Sequence, residues 1–319
     1  MTGAEQRELP VTSLRLVFAG SPAAAVVSLR ALAASRHEVV VAVTREDSEQ
    51  GRRRVLMPTA VATAAVELGL SVVKANRLAG DAAEAITGLR PELGVIVAYG
   101  GLVREPLLSM PPLGWINLHF SLLPRWRGAA PVQRAIMAGD EITGASVFQL
   151  VPELDAGDVY GQFTQPIGRL DTAGRLVESL ADSGAELLRR VIDALADGTA
   201  RAEPQSGDVT LAPKLTQGDG RIDWARDAIT VSNLIHGVTP EPGAFTTLDR
   251  ARLGILDAII ARSGPRLAPG QLALEGKSVL AGTASDPIEL VTVHPAGKKA
   301  MAAADWWRGR PAASGSVAE

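Results

Sequence analysis

The chain of 319 residues contains no cysteine. That absence removes disulfide scaffolds, thiol nucleophiles and cysteine metal sites, and it fits a reducing compartment, so the cytoplasm is the expected location. Aromatic residues are scarce, 4% against 46% hydrophobic, which makes an aliphatic core the expectation. No apolar run reaches the roughly 20 residues that span a bilayer; the longest, residues 93–103, reads as a buried strand. The N-terminal residues 1–9 include Glu5 and Glu8 and lack an apolar segment, so no secretory signal is expected. An excess of one charge is missing too: a net charge of −3 gives no global attraction to nucleic acid, and any such binding has to rest on local clusters. The four histidines, His37, His119, His236 and His294, are scattered without ligand spacing, and no metal is expected.

What is present is alternation. An apolar run over residues 14–20 ends in Gly20-Ser21-Pro22, after which Val26, Leu29 and Ala33 recur at helical spacing. Strands are expected at 38–44, 71–73, 93–98 and 115–119, with helices at 59–68, 81–89 and 131–138. Strands at 145–150 and 160–165 and a long helix over 172–196 complete the pattern. Such alternation implies a doubly wound, mainly parallel α/β sheet covered on both faces, spanning residues 14–198 behind an extension, 1–13. Residues 199–220, rich in Pro, Gly and polar groups, read as a linker. Beyond them, a helical piece at 228–236 and brief apolar runs divided by Gly and Pro suggest a small β-barrel over 221–311, with a fraying tail, 312–319.

The stretch that carries chemistry is Trp115-Ile116-Asn117-Leu118-His119-Phe120-Ser121-Leu122-Leu123-Pro124-Arg125-Trp126-Arg127-Gly128-Ala129-Ala130-Pro131. Asn117 and His119 are two apart on a strand, so a carboxamide and an imidazole leave the same face. They lie at the carboxyl end of a strand, where ligands of open α/β sheets bind. Alone, such a pair is more often a strand-end cap and a satisfied core histidine; the polar loop that follows favours a site. Downstream, Leu154-Asp155-Ala156-Gly157-Asp158 sets carboxylates on a glycine turn, and one of them near His119 would orient the ring. Gly20-Ser21-Pro22 lacks the three-glycine dinucleotide fingerprint, which argues against a dehydrogenase.

Asn117-x-His119, then Ser121-Leu122-Leu123-Pro124, Arg127-Gly128-Ala129-Ala130-Pro131 and Leu154-Asp155-x-Gly157-Asp158 resemble the formyltransferases that use 10-formyltetrahydrofolate. The likeness continues in order through Phe18-Ala19-Gly20-Ser21-Pro22, Leu56-Met57-Pro58, Val97-Ala98-Tyr99-Gly100, Ala212-Pro213-Lys214-Leu215, Gly220-Arg221-Ile222-Asp223-Trp224, Pro242-Gly243-Ala244 and Ala304-Asp305-Trp306. It extends to the members that act on initiator methionyl-tRNA. The resemblance implies a Rossmann-like catalytic domain followed by an OB-like barrel, with 10-formyltetrahydrofolate as formyl donor and initiator methionyl-tRNA as acceptor. It implies Asn117, His119 and Asp155 as catalytic residues, and Ser121, Leu122, Leu123, Pro124, Tyr99 and Gly100 as the folate site. Residues 45–54, with four positive and three negative side chains, match a loop that enters the tRNA acceptor arm in that family, and Arg52, Arg53 and Arg54 suit phosphate contacts. Eleven Lys and Arg balance eleven Asp and Glu from residue 219 onward, so the barrel is not globally basic. Where the family carries an Arg and often a Trp before its Pro-Gly-Ala, this chain has His236 and Glu241. A monomer is expected. A formyltransferase acting on a sugar nucleotide or other small amine, or a non-catalytic nucleic-acid-binding protein, remains the alternative.

Overall fold

A computed structural model provides the coordinates and describes residues 12–50, 54–261, 264–310 and 317–319. The chain divides into two compact units, Met1–Arg125, Gly144–Phe163 and Ser179–Val209 in one, Trp126–Thr143, Thr164–Glu178 and Thr210–Glu319 in the other.

The elements run β1 (Arg15–Gly20), α1 (Ala23–Ala33), β2 (Glu38–Thr44), β3 (Ser48–Gln50), β4 (Val55–Met57), α2 (Ala60–Glu67), β5 (Val72–Lys74), α3 (Asp81–Gly88), β6 (Leu93–Val97) and β7 (Trp115–His119). There follow β8 (Arg127–Gly128), α4 (Pro131–Ala138), β9 (Ile142–Gln149), β10 (Val159–Pro166) and α5 (Ala173–Ala196). One seven-stranded sheet has the order β10-β9-β7-β6-β1-β2-β5. It is parallel from β7 through β5, while β9 is antiparallel to β7, so the expected doubly wound and mainly parallel sheet is observed. Local chemistry explains the helix starts. Thr59 caps α2 by accepting the Ala62 N–H at 3.0 Å, Pro131 opens α4, where its missing N–H costs nothing, and Gly139 ends α4 in a left-handed turn at φ 79°.

With few aromatics, one large ring sets the packing beside the site. Trp115 is fully buried and lies across Gly94 on the neighbouring β6; a Cβ at Gly94 would stand 2.1 Å from the ring. Its Nε1 donates to Leu107 O at 2.9 Å. The opposite face of β7 presents Leu118 to Gly184 of α5, where the absent side chain again lets the helix close in.

The second unit, which also includes β8 and α4, adds β11 (Leu211–Ala212), α6 (Ala228–Gly237), β12 (Ala244–Leu248), β13 (Ala251–Ile260), β14 (Leu272–Glu275), β15 (Ser278–Ala281), β16 (Ile288–Pro295), β17 (Met301–Ala302) and α7 (Ala303–Arg308). Its antiparallel sheet, ordered β12-β13-β16-β15-β14 with β17 on β16, is the curled half-barrel that the OB-like expectation describes. Ile222, Trp224, Val231, Ile255, Val293 and Trp306 are among the residues that fill it.

Two segments are more ordered than the sequence suggests. In the expected linker, Glu203 bridges Val159, Leu211–Ala212 pairs with Arg127–Gly128, and Asp219 accepts from the N–H and hydroxyl of Thr216. In the expected fraying tail, Ala318 donates to Gly270 O at 2.8 Å and Glu319 exchanges two 2.8 Å bonds with Thr247. Backbone hydrogen bonds to both ends of the sheet, a bond from the Thr246 hydroxyl to Glu319 O and the buried Ala318 hold residues 317–319; residues 311–316 and the extension to residue 11 lie outside the described residues.

His37 is buried, and its Nδ1 accepts the Leu14 N–H at 3.1 Å while Nε2 faces Asp193 Oδ1 at 3.2 Å, which fixes the neutral ring with its proton on Nε2. Burial holds its pKa below the ordinary 6.5, against the opposing pull of Asp193. His236 is also buried, with the same sign and the same leading cause. A base with a depressed folded pKa contributes stability that is complete above the unfolded value and lost as pH falls through about 6.5 toward the folded value. The unfolding midpoint is therefore expected to drop between pH 7.5 and 5.5. Scanning calorimetry of His37→Asn, which keeps an acceptor near the Nδ1 position, should show a shallower drop; an unchanged slope would remove His37 from this account.

Candidate active site

The site is built where β7 leaves the sheet. In the β7–β9 register Asn117 lies opposite Phe148 and His119 opposite Ser146, so the four side chains share one face. The Phe148 ring meets the His119 ring edge-on, with centroids 6.3 Å apart and planes at 88°, which fixes the imidazole plane. His119 is 6% exposed. The Asn117 Oδ1 is buried and has no hydrogen-bond partner among the described residues. Leaving a buried acceptor unpaired costs about 1–3 kcal/mol, and such an orphan at a strand end is an atom for a substrate donor to satisfy.

Asp155 comes to this pair from the turn after β9. Its Oδ2 lies 3.9 Å from His119 Nδ1, with both side chains largely enclosed. That separation exceeds a direct hydrogen bond, so the coupling is coulombic or carried by a bridging water. Asp155 adopts φ 46°, a left-handed conformation that costs on the order of 1 kcal/mol for a residue with a Cβ. Gly157 follows because nothing larger fits: a Cβ there would stand 1.8 Å from Gln149 O.

The loop after His119 is pinned from beneath by residues that the sequence reading does not single out. Ser146 Oγ donates to Ser121 O at 2.6 Å and accepts the Leu123 N–H at 3.2 Å. Gln162 Nε2 donates to Leu123 O at 3.0 Å and to Ser146 Oγ at 2.8 Å. Ser121 is itself buried, its hydroxyl donating to Arg125 O at 2.6 Å. The Ser121, Leu122, Leu123 and Pro124 turn is thus held rigid next to His119, with Leu123 and Pro124 buried and Leu122 half-buried. The sequence signal for Ser146 is a hydroxyl between the apolar residues Ala145 and Val147.

Tyr99 is a core residue. It is 1% exposed among Val17, Val43 and Ile96, its hydroxyl donates to Ala75 O at 2.5 Å, and burial raises its pKa. What this strand end offers a ligand is backbone, and part of that is engaged: Ser21 Oγ donates to Tyr99 O at 3.3 Å, and Arg45 Nη1 to Gly100 O at 2.7 Å. Of the expected tRNA contacts, Arg52 and Arg53 lie outside the described residues. Arg54 is exposed beside the antiparallel β3–β4 pair and bonds Glu49 at 2.5 Å. The same pair presents exposed Val55, Leu56 and Met57, an apolar strip that takes in the first two residues of the Leu56-Met57-Pro58 motif. His236 is 3% exposed and cannot meet an RNA surface, whereas Glu241 is exposed. Among the described residues no group of three His, Asp or Glu is arranged to hold a metal.

Comparison with known proteins bears on what this arrangement does. Residues 14–192 match the family model described as formyl transferase, and residues 214–311 match that of the formyl transferase C-terminal domain. The chain is 60% identical over 296 residues to a methionyl-tRNA formyltransferase of Leifsonia xyli subsp. xyli, covering 93% of this chain and 97% of that protein. It is 58% identical, with the same coverage, to a methionyl-tRNA formyltransferase of Clavibacter sepedonicus. Its fold resembles that of HypX from Aquifex aeolicus in complex with tetrahydrofolic acid, with a TM-score of 0.61 and 16% identity over 96% of this chain; the chain spans 51% of that longer protein.

Because Gly157 has no room for a side chain, Gly157→Ala should displace the Asp155 turn while leaving the half-barrel unfolding unchanged. The expected readout is a loss of activity of at least roughly 10-fold, of the size that outer-shell damage produces; wild-type activity would contradict the close approach described above.

Proposed function

The chain belongs to the formyl transferase family, and from that premise we propose that it moves the formyl group of 10-formyltetrahydrofolate onto the α-amine of methionine carried by initiator tRNA. The observation that carries the reading is the meeting of Asn117, His119 and Asp155 at the end of β7, with an unpartnered carboxamide oxygen in the group. The naming of relatives that match along nearly their whole length favours a tRNA acceptor over a sugar nucleotide.

When bound, the folate supplies the formyl carbon. Transfer forms a bond from the amine nitrogen to that carbon and breaks the bond to N10, while one proton leaves the amine and one is returned to N10. Asn117 serves this change with both ends of its amide. The Nδ2 donates to the oxygen on which negative charge grows, a contribution of about 10²-fold to 10³-fold for one donor, and Oδ1 accepts from the incoming amine and orients it. His119 carries the proton between the two nitrogens, a role worth about 10²-fold to 10⁴-fold. Asp155 directs a negative charge toward Nδ1 of the ring that takes up this proton. The orphaned Oδ1 suits an N–H of the incoming amine, and the rigid turn beside it suits the folate; Ser121, Leu122, Leu123 and Pro124 would hold it, with backbone from Tyr99 and Gly100. Arg52, Arg53 and Arg54 contact tRNA phosphates, and the half-barrel adds backbone contacts through the exposed Lys298, Lys299 and Arg308.

The test uses 10-formyltetrahydrofolate carrying a labelled formyl group. Label should enter charged initiator methionyl-tRNA, and neither free methionine nor uncharged tRNA. Asn117→Ala and His119→Ala should each lower turnover by roughly 10²-fold or more with tRNA affinity intact; unchanged turnover in both would remove this site from the reaction. Arg54→Ala should instead weaken tRNA binding and lower the slope of log affinity against log salt by about 1, with kcat unchanged.

A further inference from the structure

Of Asn117, His119 and Asp155, only Asp155 lies on neither a strand nor a helix, and its turn is held from outside. The clamp comes from the stretch that the sequence marks as linker. Gln205 Nε2 donates to Asp155 O at 2.8 Å and to Gly157 O at 2.8 Å, so both hydrogens of one amide nitrogen are spent on the same turn. Asp155 stands at φ 46°, where an L-residue gains nothing from its own backbone preference and stays only if its surroundings insist.

Gln205 is in turn fixed by backbone. Glu203, two residues earlier, exchanges N–H to carbonyl bonds of 2.8 and 3.0 Å with Val159 at the start of β10. The order of support is therefore β10 to the 203–205 segment, Gln205 to the 155–157 turn, and the turn to a carboxylate 3.9 Å from His119 Nδ1. At that separation a displacement of about 1 Å decides whether the pair couples, and errors of that size can cost about 10²-fold in rate.

On the reading of Asn117, His119 and Asp155 given above, we infer that Gln205 is a positioning residue for the transfer reaction. It sets the distance and direction of the Asp155 carboxylate toward His119, acting through two main-chain carbonyls. Gln205→Leu keeps the volume and removes both donors; Gln205→Glu keeps the shape and turns an oxygen toward the two carbonyls. Neither touches the Glu203–Val159 pair, which is made by backbone alone.

The experiment is a double-mutant cycle on the full chain, with kcat and KM measured for 10-formyltetrahydrofolate and for methionyl-tRNA. Gln205→Leu should lower kcat roughly 10-fold to 100-fold and leave both KM values in place, with Gln205→Glu at least as impaired. Adding Gln205→Leu to Asp155→Ala should change kcat by no more than about two-fold, since the group it positions is already gone. Two results overturn the inference while leaving the site intact: an Asp155→Ala enzyme that is impaired beside a Gln205→Leu enzyme of wild-type kcat, or effects of the two changes that multiply. Wild-type kcat in Asp155→Ala alone would instead bring down the reading of the site, and the inference with it. Should Gln205→Leu fail to fold by circular dichroism, Gln205→Glu carries the same cycle.

Discussion

The register between β7 and β9 is the constraint from which the rest follows. Side chains alternate across a strand, so a slip of one residue would send Asn117 and His119 to the α5 face and bring Leu118 to the site face. What prevents the slip is packing on both faces at once. Trp115 over Gly94 and Leu118 against Gly184 leave no other placement for β7, and Phe148 and Ser146 complete the face that carries Asn117 and His119. The chemistry of the site thus depends on steric fit at two glycines that take no part in it.

A second principle divides rigid from adjustable parts. Asn117 and His119 belong to a strand with neighbours on both sides, and their positions are as stable as the sheet. The turn carrying Asp155 and the turn carrying Ser121 to Pro124 have no ladder of their own. Each is secured by a side-chain amide or hydroxyl reaching to main-chain groups: Gln205 for the first, Ser146 and Gln162 for the second. Main-chain carbonyls and N–H groups are obligatory hydrogen-bonding groups, so a polar side chain that meets them in a buried setting holds a loop without requiring any particular loop sequence. On the function proposed above, the substrates meet turns held in this way, so the site is formed before they arrive.

How much of this could be read from the sequence follows the same division. Periodicity exposes what repeats: the alternation of strands and helices, the spacing of two between Asn117 and His119, and the glycine turn after Asp155 all have local signatures. The doubly wound sheet and the half-barrel were legible for that reason. Side-chain bonds across long stretches of chain leave no period. Gln205 follows Pro204 in a polar stretch that reads as linker, Ser146 is one of several polar residues in β9, and residues 317–319 are fixed by main-chain bonds and by the Thr246 hydroxyl, which donates to Glu319 O. The β3–β4 pair is similarly hidden, because its strands are short and Val55, Leu56 and Met57 show no alternation of burial. Tyr99 shows the converse: a motif position suggests a ligand contact, while the ring itself belongs to the core.

The central claim is geometric: a carboxamide, an imidazole and a carboxylate surround one formyl carbon at the end of β7. A crystal structure of the protein with a stable analogue of 10-formyltetrahydrofolate tests it most directly. The account expects the formyl oxygen within about 3 Å of Asn117 Nδ2, with the imidazole of His119 on the side from which an amine approaches. A formyl group lying more than roughly 6 Å from Asn117, beyond the reach of one bridging water, would contradict it.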